Sequence, residues 1–310
     1  MALNRARAPR RVRLTREARG DILLRVMPVA AILLVVVSGF ILAVWNLLVK
    51  KAGDPSVFLL GAIVSALALY TPVFVLVIAP TVQRPPWEGF VATALAGLTE
   101  GIYFILLTFT YRRGDLSLVY PVSRGSAPLF ILAGGVLLLA EKVTFLGYVG
   151  VGLIVAGIGA VAWPGAGTRV TFNVMLWSLF TGVAIAGHHV LYKWALRFFA
   201  PFAVIYLTWS VAATTLAVYC VATRPIFAAA RYLYDHVVPA AAVGVIAMAG
   251  FICALVALNM TFVSYVGAAR NVGMIFSVLF GVRFLGEGAR WRRLAGAATI
   301  TAGVVVMAFA

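Results

Sequence analysis

A pair of charges inside long apolar runs occurs twice in this chain. Arg124 and Glu141 are repeated as Arg270 and Glu287, at a common offset of 146 residues. Over residues 124–157, ten of 34 positions carry the same residue as the position 146 further on. Shared hydrophobicity could repeat Val, Leu or Ala, but it does not explain a repeated arginine and glutamate. The chain is therefore predicted to be a tandem duplication of a membrane unit.

The chain has too few charged residues to cover a water-facing surface. Of its 310 residues, 64% are hydrophobic and 11% are charged, whereas soluble domains carry about 25% charged residues. A run of about 20 apolar residues crosses a bilayer core. We predict ten such spans, at residues 26–49, 55–79, 88–111, 116–140, 144–163, 171–195, 201–222, 238–260, 262–285 and 291–310.

These spans divide into two units of five. Residues 26–163 form the first five-helix repeat and residues 171–310 form the second, after a basic tail at residues 1–25. Because five is an odd number, the second unit starts from the opposite face of the membrane, which is the geometry of an inverted-topology repeat. The predicted fold is an all-α polytopic membrane protein with ten transmembrane helices in two inverted five-helix repeats.

The net charge of +16 is interpreted as a membrane signal and not as a nucleic-acid interface. Eight of the 25 Lys and Arg residues lie in residues 1–25, directly before the first span. A basic segment there indicates a cytoplasmic, uncleaved tail in contact with anionic lipid. We predict both termini to be cytoplasmic, although the loop charges outside the tail favour the other orientation, so the absolute topology stays open.

Two stretches resemble a known transporter family. Residues 114–124 read Gly-Asp-Leu-Ser-Leu-Val-Tyr-Pro-Val-Ser-Arg, and residues 139–142 read Leu-Ala-Glu-Lys before a glycine-rich fifth span. The pattern resembles the EamA family of the drug/metabolite transporter superfamily, and the second unit repeats it more loosely. The resemblance implies a ten-helix carrier in a bacterial-type inner membrane that exports amino acids or related metabolites, driven by an ion gradient or by exchange.

Glu100 is the strongest candidate for a functional residue because it lies near the middle of the third span. An acid at that depth usually faces a cavity or a partner and marks a functional site. Arg124, in the next span, is placed at nearly the same depth by the 1.5 Å helical rise. We predict that they form an ion pair or share a cavity. Either a coupling or substrate-binding role or a purely structural salt bridge fits this pattern.

Arg270 has no equivalent acid, since the position that matches Glu100 is Ile246. We expect Arg270, with the neighbouring Asn271, to hold the carboxylate of a substrate. The competing interpretation is that the long arginine side chain reaches the membrane surface. Gly267 and Gly273 flank this position, and a break in the helix there would favour a transport site.

The remaining candidates lie on the first, third, fourth and sixth spans. In the first span the offset of the repeat is 143 residues, so Asn46 corresponds to His189. Each precedes a lysine by four residues, which predicts a polar stripe on matching helices. Tyr103 follows Glu100 by about one helical turn. Ser123 precedes Arg124. His189 is expected either to face the cavity and exchange protons or to be a packed, hydrogen-bonded residue.

Other features receive structural interpretations. Glu141 and Glu287 each precede a span, where an acid stabilises the following helix terminus. Pro121 and Pro128 predict an interruption of the fourth span that would match the one near Arg270. Residues 224–236 are expected to form a short helix lying in the membrane interface. The glycines of the fifth and tenth spans predict close helix packing, either within the bundle or in a homodimer. They are Gly150, Gly157, Gly296 and Gly303.

The favoured function is a secondary transporter for a small polar metabolite, with protons as one coupling partner to be tested. We expect no cofactor and no metal. Carriers of drugs, nucleotide sugars or lipid-linked sugars are the nearest alternatives. An intramembrane enzyme is the alternative of another class, although no His-Glu-x-x-His or Gly-x-Ser-x-Gly motif is present.

Overall fold

The described part of the chain is helical throughout. A computed structural model describes residues 27–50, 52–81, 86–111, 116–162, 172–273, 275–276 and 291–309. Within these residues it contains eleven α-helices and no strand. The helices are α1 (Val29–Lys50), α2 (Pro55–Val73), α3 (Trp87–Tyr111), α4 (Leu116–Leu139), α5 (Phe145–Ala162), α6 (Phe172–Ala195), α7 (Pro201–Thr223), α8 (Ile226–Asp235), α9 (Val237–Met260), α10 (Val263–Ala269) and α11 (Trp291–Ala308).

Six of the helices are long and apolar enough to cross a membrane: α1, α2 with its extension to Ile78, α3, α6, α7 and α9. Shorter apolar segments occupy Ser123–Leu139 in α4, Phe145–Ala160 in α5 and Ala298–Met307 in α11. The protein is therefore an integral, multi-pass membrane protein. The basic tail and Glu287 lie outside the described residues, and so does most of the predicted ninth span after α10.

Large apolar side chains cover the outside of the bundle. On α1, the exposed residues Val29, Leu33, Val37 and Phe40 recur about one helical turn apart. In water such a stripe would be unfavourable, whereas in a bilayer the lipid chains cover it. The outward face of this helix is therefore a lipid-facing surface, and its other side is left to line the interior.

Asp54 fixes the start of α2 and ties it to the end of α7. Its Oδ1 accepts hydrogen bonds from the backbone N–H groups of Ser56 and Val57, at 3.1 and 3.3 Å, with Pro55 at the first turn. Arg224, just after α7, donates from Nε to Asp54 Oδ2 at 2.6 Å and from Nη2 to Oδ1 at 3.1 Å. The hydrogen bonds from Arg224 to this carboxylate raise the pKa of the guanidinium, so Arg224 keeps its positive charge at any physiological pH.

The glycines of the fifth and tenth spans meet within the bundle. Helices α5 and α11 pack antiparallel, and the Cβ position of Gly303 lies 2.7 Å from the carbonyl oxygen of Gly150. At the other end of the contact, the Cβ position of Gly157 lies 2.7 Å from the oxygen of Gly296. Of the two interpretations that the sequence left open, packing within the chain accounts for this face, because any side chain here would force the helices apart.

The helix pairs of the two halves repeat one another. Helix α3 packs against α6 and α7, and α9 packs against α1 and α2. Since α1, α2 and α3 correspond in sequence order to α6, α7 and α9, each half places its third long helix on the first two helices of the other half. The first two helices of each half therefore enclose the third long helix of the other half.

Two smaller predictions have different outcomes. Residues 224–236 contain α8, in which no residue is buried and Phe227 and Tyr234 are among the most exposed side chains, as expected of an interfacial helix. The predicted interruption of the fourth span is wrong, because α4 runs continuously through Pro121 and Pro128. Of these two spans, the ninth is the one that is broken within the described residues: α10 ends at Ala269 and is followed by a 3₁₀ turn.

Candidate functional site

Glu100 lies at the centre of the bundle with none of its surface exposed. It is 13 residues from the first and 11 from the last residue of α3, so it lies about 17 Å from the nearer helix end. Its carboxylate accepts two hydrogen bonds, one from the Tyr192 hydroxyl on α6 and one from Trp209 Nε1 on α7 at 3.2 Å. Within the described residues, no Lys or Arg nitrogen lies within 4.0 Å of this carboxylate.

Arg270 is buried where the helix of the ninth span breaks. The 3₁₀ turn Arg270–Val272 follows α10, and Arg270 is 4% exposed, so the predicted alternative in which it reaches the membrane surface is wrong. Its Nε donates to Ser38 Oγ at 3.0 Å and its Nη1 to His189 Nε2 at 3.4 Å. The guanidinium carbon lies 4.4 Å from the centre of the Phe251 ring. All of these partners are neutral.

The predicted ion pair between Glu100 and Arg124 is not formed. Arg124 Nη2 donates to the Tyr103 hydroxyl at 3.3 Å, and Tyr103 lies on the helix of Glu100. Depth along the membrane normal is similar for the two charges, but the direction in which each side chain leaves its helix differs. Tyr103 therefore contacts Arg124, while Glu100 turns toward α6 and α7.

His188 and His189 are packed residues. Their Nδ1 atoms lie 3.0 and 2.7 Å from the carbonyl oxygens of Ala184 and Ile185. A carbonyl can only accept, so each Nδ1 carries a proton. His189 Nε2 in turn accepts from Arg270. Both nitrogens of His189 are therefore engaged in its neutral form, which supports the packed interpretation over a proton-exchanging one.

Three further predicted residues are placed differently from the expectation. Asn271 Nδ2 donates to the carbonyl oxygens of Gly267 and Ala268, at 3.1 and 3.3 Å, so its amide group is turned toward its own helix and is not available to a substrate. Asn46 is half-buried, whereas its neighbour Trp45 is the α1 residue that faces the interior. Lys193 extends the predicted polar stripe but bonds the last carbonyls of α9, at Leu258 and Thr261. Ser123, by contrast, is fully buried beside Arg124.

A chain of aromatic rings connects the charged groups. Trp209 contacts Phe251 with ring centres 5.4 Å apart, Phe251 contacts Trp45 at 6.2 Å, and Trp45 contacts Phe104 at 6.0 Å. From Phe104 the chain continues through Tyr103 and His188 to Tyr192. The site is thus a small number of charged groups inside an aromatic enclosure.

A narrow crevice, in which the side chains leave almost no room for a water molecule, lies at Arg270. Its lining comes from α1, α9 and the 3₁₀ turn, and consists of Ser38, Ile41, Leu42, Trp45, Ala247, Gly250, Phe251 and Arg270. One side is therefore apolar and aromatic, and the guanidinium forms the polar end.

Sequence reasoning missed Ser38, Trp45, Tyr192, Trp209 and Phe251. Tryptophan and tyrosine concentrate at the membrane interfaces, but Trp209 lies eight residues inside α7 and is 1% exposed. An indole or phenol in the middle of a span needs a hydrogen-bond partner. That requirement is the sequence feature that could have identified Trp209 and Tyr192 as neighbours of a buried polar group.

Glu141 stabilises a helix terminus, but not the one predicted. Its Oε1 accepts from the backbone N–H of Val263 at 2.6 Å. Its Oε2 accepts from the backbone N–H and hydroxyl of Ser264, at 3.3 and 2.7 Å. The carboxylate therefore caps α10 in the second half of the chain, while the expected target was the helix that follows Glu141 directly. Ala140 makes this possible with a left-handed backbone, φ 54°, which turns the chain back over the end of α4.

Comparison with known proteins finds a family similarity in the second half of the chain. The model of the EamA-like transporter family matches residues 173–309, which confirms the resemblance seen in the sequence. A solved crystal structure of a protein is similar with a TM-score of 0.69 and 16% identity, over 89% of this chain and 95% of that chain. At that identity the likeness shows the fold alone. No curated protein matches the sequence.

Proposed function

We propose that this member of the EamA-like transporter family is a secondary carrier that works by alternating access of two inverted five-helix units. The protein is proposed to export amino acids or related small polar metabolites, with a proton gradient or exchange as the driving force. The observation that carries the proposal is the burial of Glu100 and Arg270 in the middle of a bundle whose two halves make equivalent contacts.

The glycine contacts support a twofold relation between the halves. The sequence offset relates Gly150 to Gly296 and Gly157 to Gly303. A twofold rotation therefore converts the contact of Gly150 with Gly303 into the contact of Gly296 with Gly157, and both contacts are present. Two copies related by translation along the membrane would not pair the glycines in this crossed way.

A second set of contacts has the same symmetry. The Cβ position of Gly39 lies 3.2 Å from the carbonyl oxygen of Arg270, and that of Gly182 lies 2.9 Å from the oxygen of Ser123. Gly39 and Gly182 are related by the repeat, and Arg270 is related to Arg124, which follows Ser123. The first helix of each half thus packs closely on the arginine-bearing segment of the other half, as an alternating-access carrier with a site between its repeats requires.

The donors around Glu100 fit a group that gains and loses a proton. Trp209 can only donate its indole N–H, whereas the Tyr192 hydroxyl can donate or accept. When Glu100 is ionised, both groups donate to it, as in this structure. When a proton binds to Oε2, the carboxylic acid donates to the Tyr192 oxygen and the hydroxyl hydrogen turns away. Both states are satisfied without moving the backbone, which suits a coupling site.

The test is flux into liposomes that contain purified protein, using labelled amino acids and organic acids with and without a pH gradient. Glu100→Gln keeps the size of the side chain but cannot be ionised, so it should abolish the response of flux to the gradient. Glu88→Gln, on the same helix near its start, is the matched control and should leave that response intact. Gradient-dependent flux that survives Glu100→Gln would refute proton coupling through this residue.

The same assay separates the carrier from the alternatives. Arg270→Gln should stop flux of the amino acids and organic acids while the folded protein is recovered in the usual yield, and exposed Arg197→Gln should have no effect. Flux of a drug or a nucleotide sugar without flux of amino acids would favour a carrier for larger substrates. Chemical conversion of a substrate without its movement across the membrane would favour an intramembrane enzyme.

A further inference from the structure

The joint between α9 and α10 is held by a lysine from α6. Lys193 Nζ donates to the carbonyl oxygens of Leu258 and Thr261, at 2.6 and 2.7 Å. These carbonyls lie at the end of α9, where the helix dipole presents its negative pole, so a cation is stabilised there. Apart from this side chain, α6 and α9 make few contacts with each other. The two hydrogen bonds therefore join helices that packing alone leaves almost separate.

The first half of the chain holds the same joint from its other end. The carboxylate of Glu141 accepts hydrogen bonds from the backbone N–H groups of Val263 and Ser264 and from the Ser264 hydroxyl. The hydroxyl of Tyr265 lies 3.4 Å from Thr144 Oγ1, at the start of α5. Residues 258–265 are thus bonded to side chains from both halves.

Both charged side chains reach the joint from the same side. Helix α4, which ends just before Glu141, packs on α6, which carries Lys193. The joint itself belongs to α9 and α10, and α9 packs on α1 and α2. The bonds of Lys193 therefore connect the helices packed around α6 with the helices packed around α9, at the face of the membrane where α4, α6 and α9 end.

We propose that Lys193 and Glu141 form a latch on the α9–α10 joint, which closes this face of the carrier and must open before a substrate can pass. The inference rests on the proposed carrier function and names the gate of its site. Opening would separate α9 and α10 from α4 and α6.

The chemistry of the latch suits a bond that is made and broken repeatedly. Its partners are backbone groups at helix ends, which water can satisfy when the side chains withdraw. Lys193 is half-buried, so its ammonium group reaches water after a short movement. An exchange of protein hydrogen bonds for hydrogen bonds with water changes the free energy only modestly. The latch can therefore hold the face closed and still release it.

The experiment is labelling of the purified full chain in nanodiscs with a membrane-impermeant maleimide. The native cysteines, Cys220 and Cys253, are first replaced with alanine, and Ile131→Cys is introduced as the reporter. Ile131 is 1% exposed and packs between α4 and α10, with its Cδ1 atom 2.6 Å from the Cβ position of Gly267. It lies deeper than the Glu141 contact between the same two helices, so its cysteine should react slowly while the latch is closed.

Two variants open the latch in different ways. Lys193→Met keeps the length of the side chain and removes its charge, and it should speed the labelling of Ile131→Cys about tenfold or more, as expected for the loss of a hydrogen bond from a charged group. Glu141→Gln weakens the contact with α10 and should speed the labelling as well. The matched control is Lys142→Met, which removes an exposed lysine at the same face and should leave the rate unchanged.

A second reporter distinguishes the opening of one face from a loss of folding. Val243→Cys, near the start of α9, is 4% exposed in the native side chain and lies toward the opposite face. Its labelling should not become faster in Lys193→Met or Glu141→Gln. Faster labelling of both reporters would mean that the whole bundle has loosened, and would overturn the latch. An unchanged rate at Ile131→Cys in both variants would overturn it too.

Failure of this inference is distinguishable from failure of the carrier proposal, because the labelling requires no substrate. Selective opening at Ile131→Cys in a protein that moves none of the labelled compounds into liposomes would keep the latch and refute the carrier. Flux by the wild type, together with latch variants that label at the wild-type rate, would keep the carrier and refute the latch.

Discussion

The cap that Glu141 places on α10 should be essential for holding Arg270 in the site. Glu141→Ala removes the acceptor of the backbone N–H groups of Val263 and Ser264, and the Ser264 hydroxyl loses its partner too. Each buried donor left without a partner costs about 1–3 kcal/mol. The two backbone groups alone therefore predict a loss of about 2–6 kcal/mol in the free energy of unfolding α10.

Hydrogen exchange is the suitable measurement, because it reports the local opening of a helix. The amides of Val263–Ala269 should exchange faster in Glu141→Ala, by the factor that corresponds to that free energy. Glu141→Gln keeps one oxygen acceptor and loses the charge, so its effect should be smaller. Exposed Lys142→Ala is the neighbouring control and should change nothing. If α10 exchanges at the wild-type rate in Glu141→Ala, the described cap does not stabilise this segment.

Three other predictions concern packing, the ion pair between helices and the histidine. Gly303→Leu should destabilise the protein by about 1–3 kcal/mol because α5 and α11 are forced apart, and Gly152→Leu, whose Cβ position meets no atom within 4 Å, should not; thermal unfolding in detergent distinguishes them. Arg224→Gln should lower the free energy of unfolding by about 1 kcal/mol or less, as for other partly exposed ion pairs. The difference from the wild type should shrink in high salt, since salt screens its bond to Asp54. His189→Gln should leave the pH midpoint of flux unchanged, because the imidazole is held neutral by its hydrogen bonds.

The sequence predicted the features that depend on composition and on helical rise. Apolar runs of sufficient length gave helices at the expected positions, because a bilayer leaves few other ways to satisfy the backbone. The depth of Glu100 also followed from counting residues along α3. The break beside Arg270 was correctly expected from the glycines around it, and it lies in a 3₁₀ turn.

The errors arose where direction around a helix decides the contact. Residues adjacent in a helix point about 100° apart. The sequence repeat can therefore align Asn46 with His189 even though Trp45, and not Asn46, has its side chain buried in the interior. The ion pair of Glu100 with Arg124 failed for the same reason. Residue counting gives depth, but the partner depends on which neighbouring helix a side chain faces.

Glu141 shows a different limit. A carboxylate just before a helix is expected to stabilise that helix, because the nearest terminus in sequence is the simplest partner. In the folded chain the end of α4 lies beside the start of α10, and the backbone N–H groups of Val263 and Ser264 there donate to the carboxylate of Glu141. In a duplicated chain the two halves contact each other, so a side chain of one half can cap a helix of the other half.

Residues that follow the sequence repeat and residues that depart from it have separate roles. Some residues that obey the twofold relation, such as Gly150 and Gly303, are contacts between helices. The site depends instead on a residue that breaks the relation: Glu100 has Ile246 as its counterpart. In the proposed carrier a symmetric scaffold would let both halves exchange conformations at equal cost, whereas a site with a buried acid in one half and a buried guanidinium in the other is asymmetric. Ile246 is 42% exposed, so the second half has an apolar, outward-facing side chain at the position where the first half buries its acid.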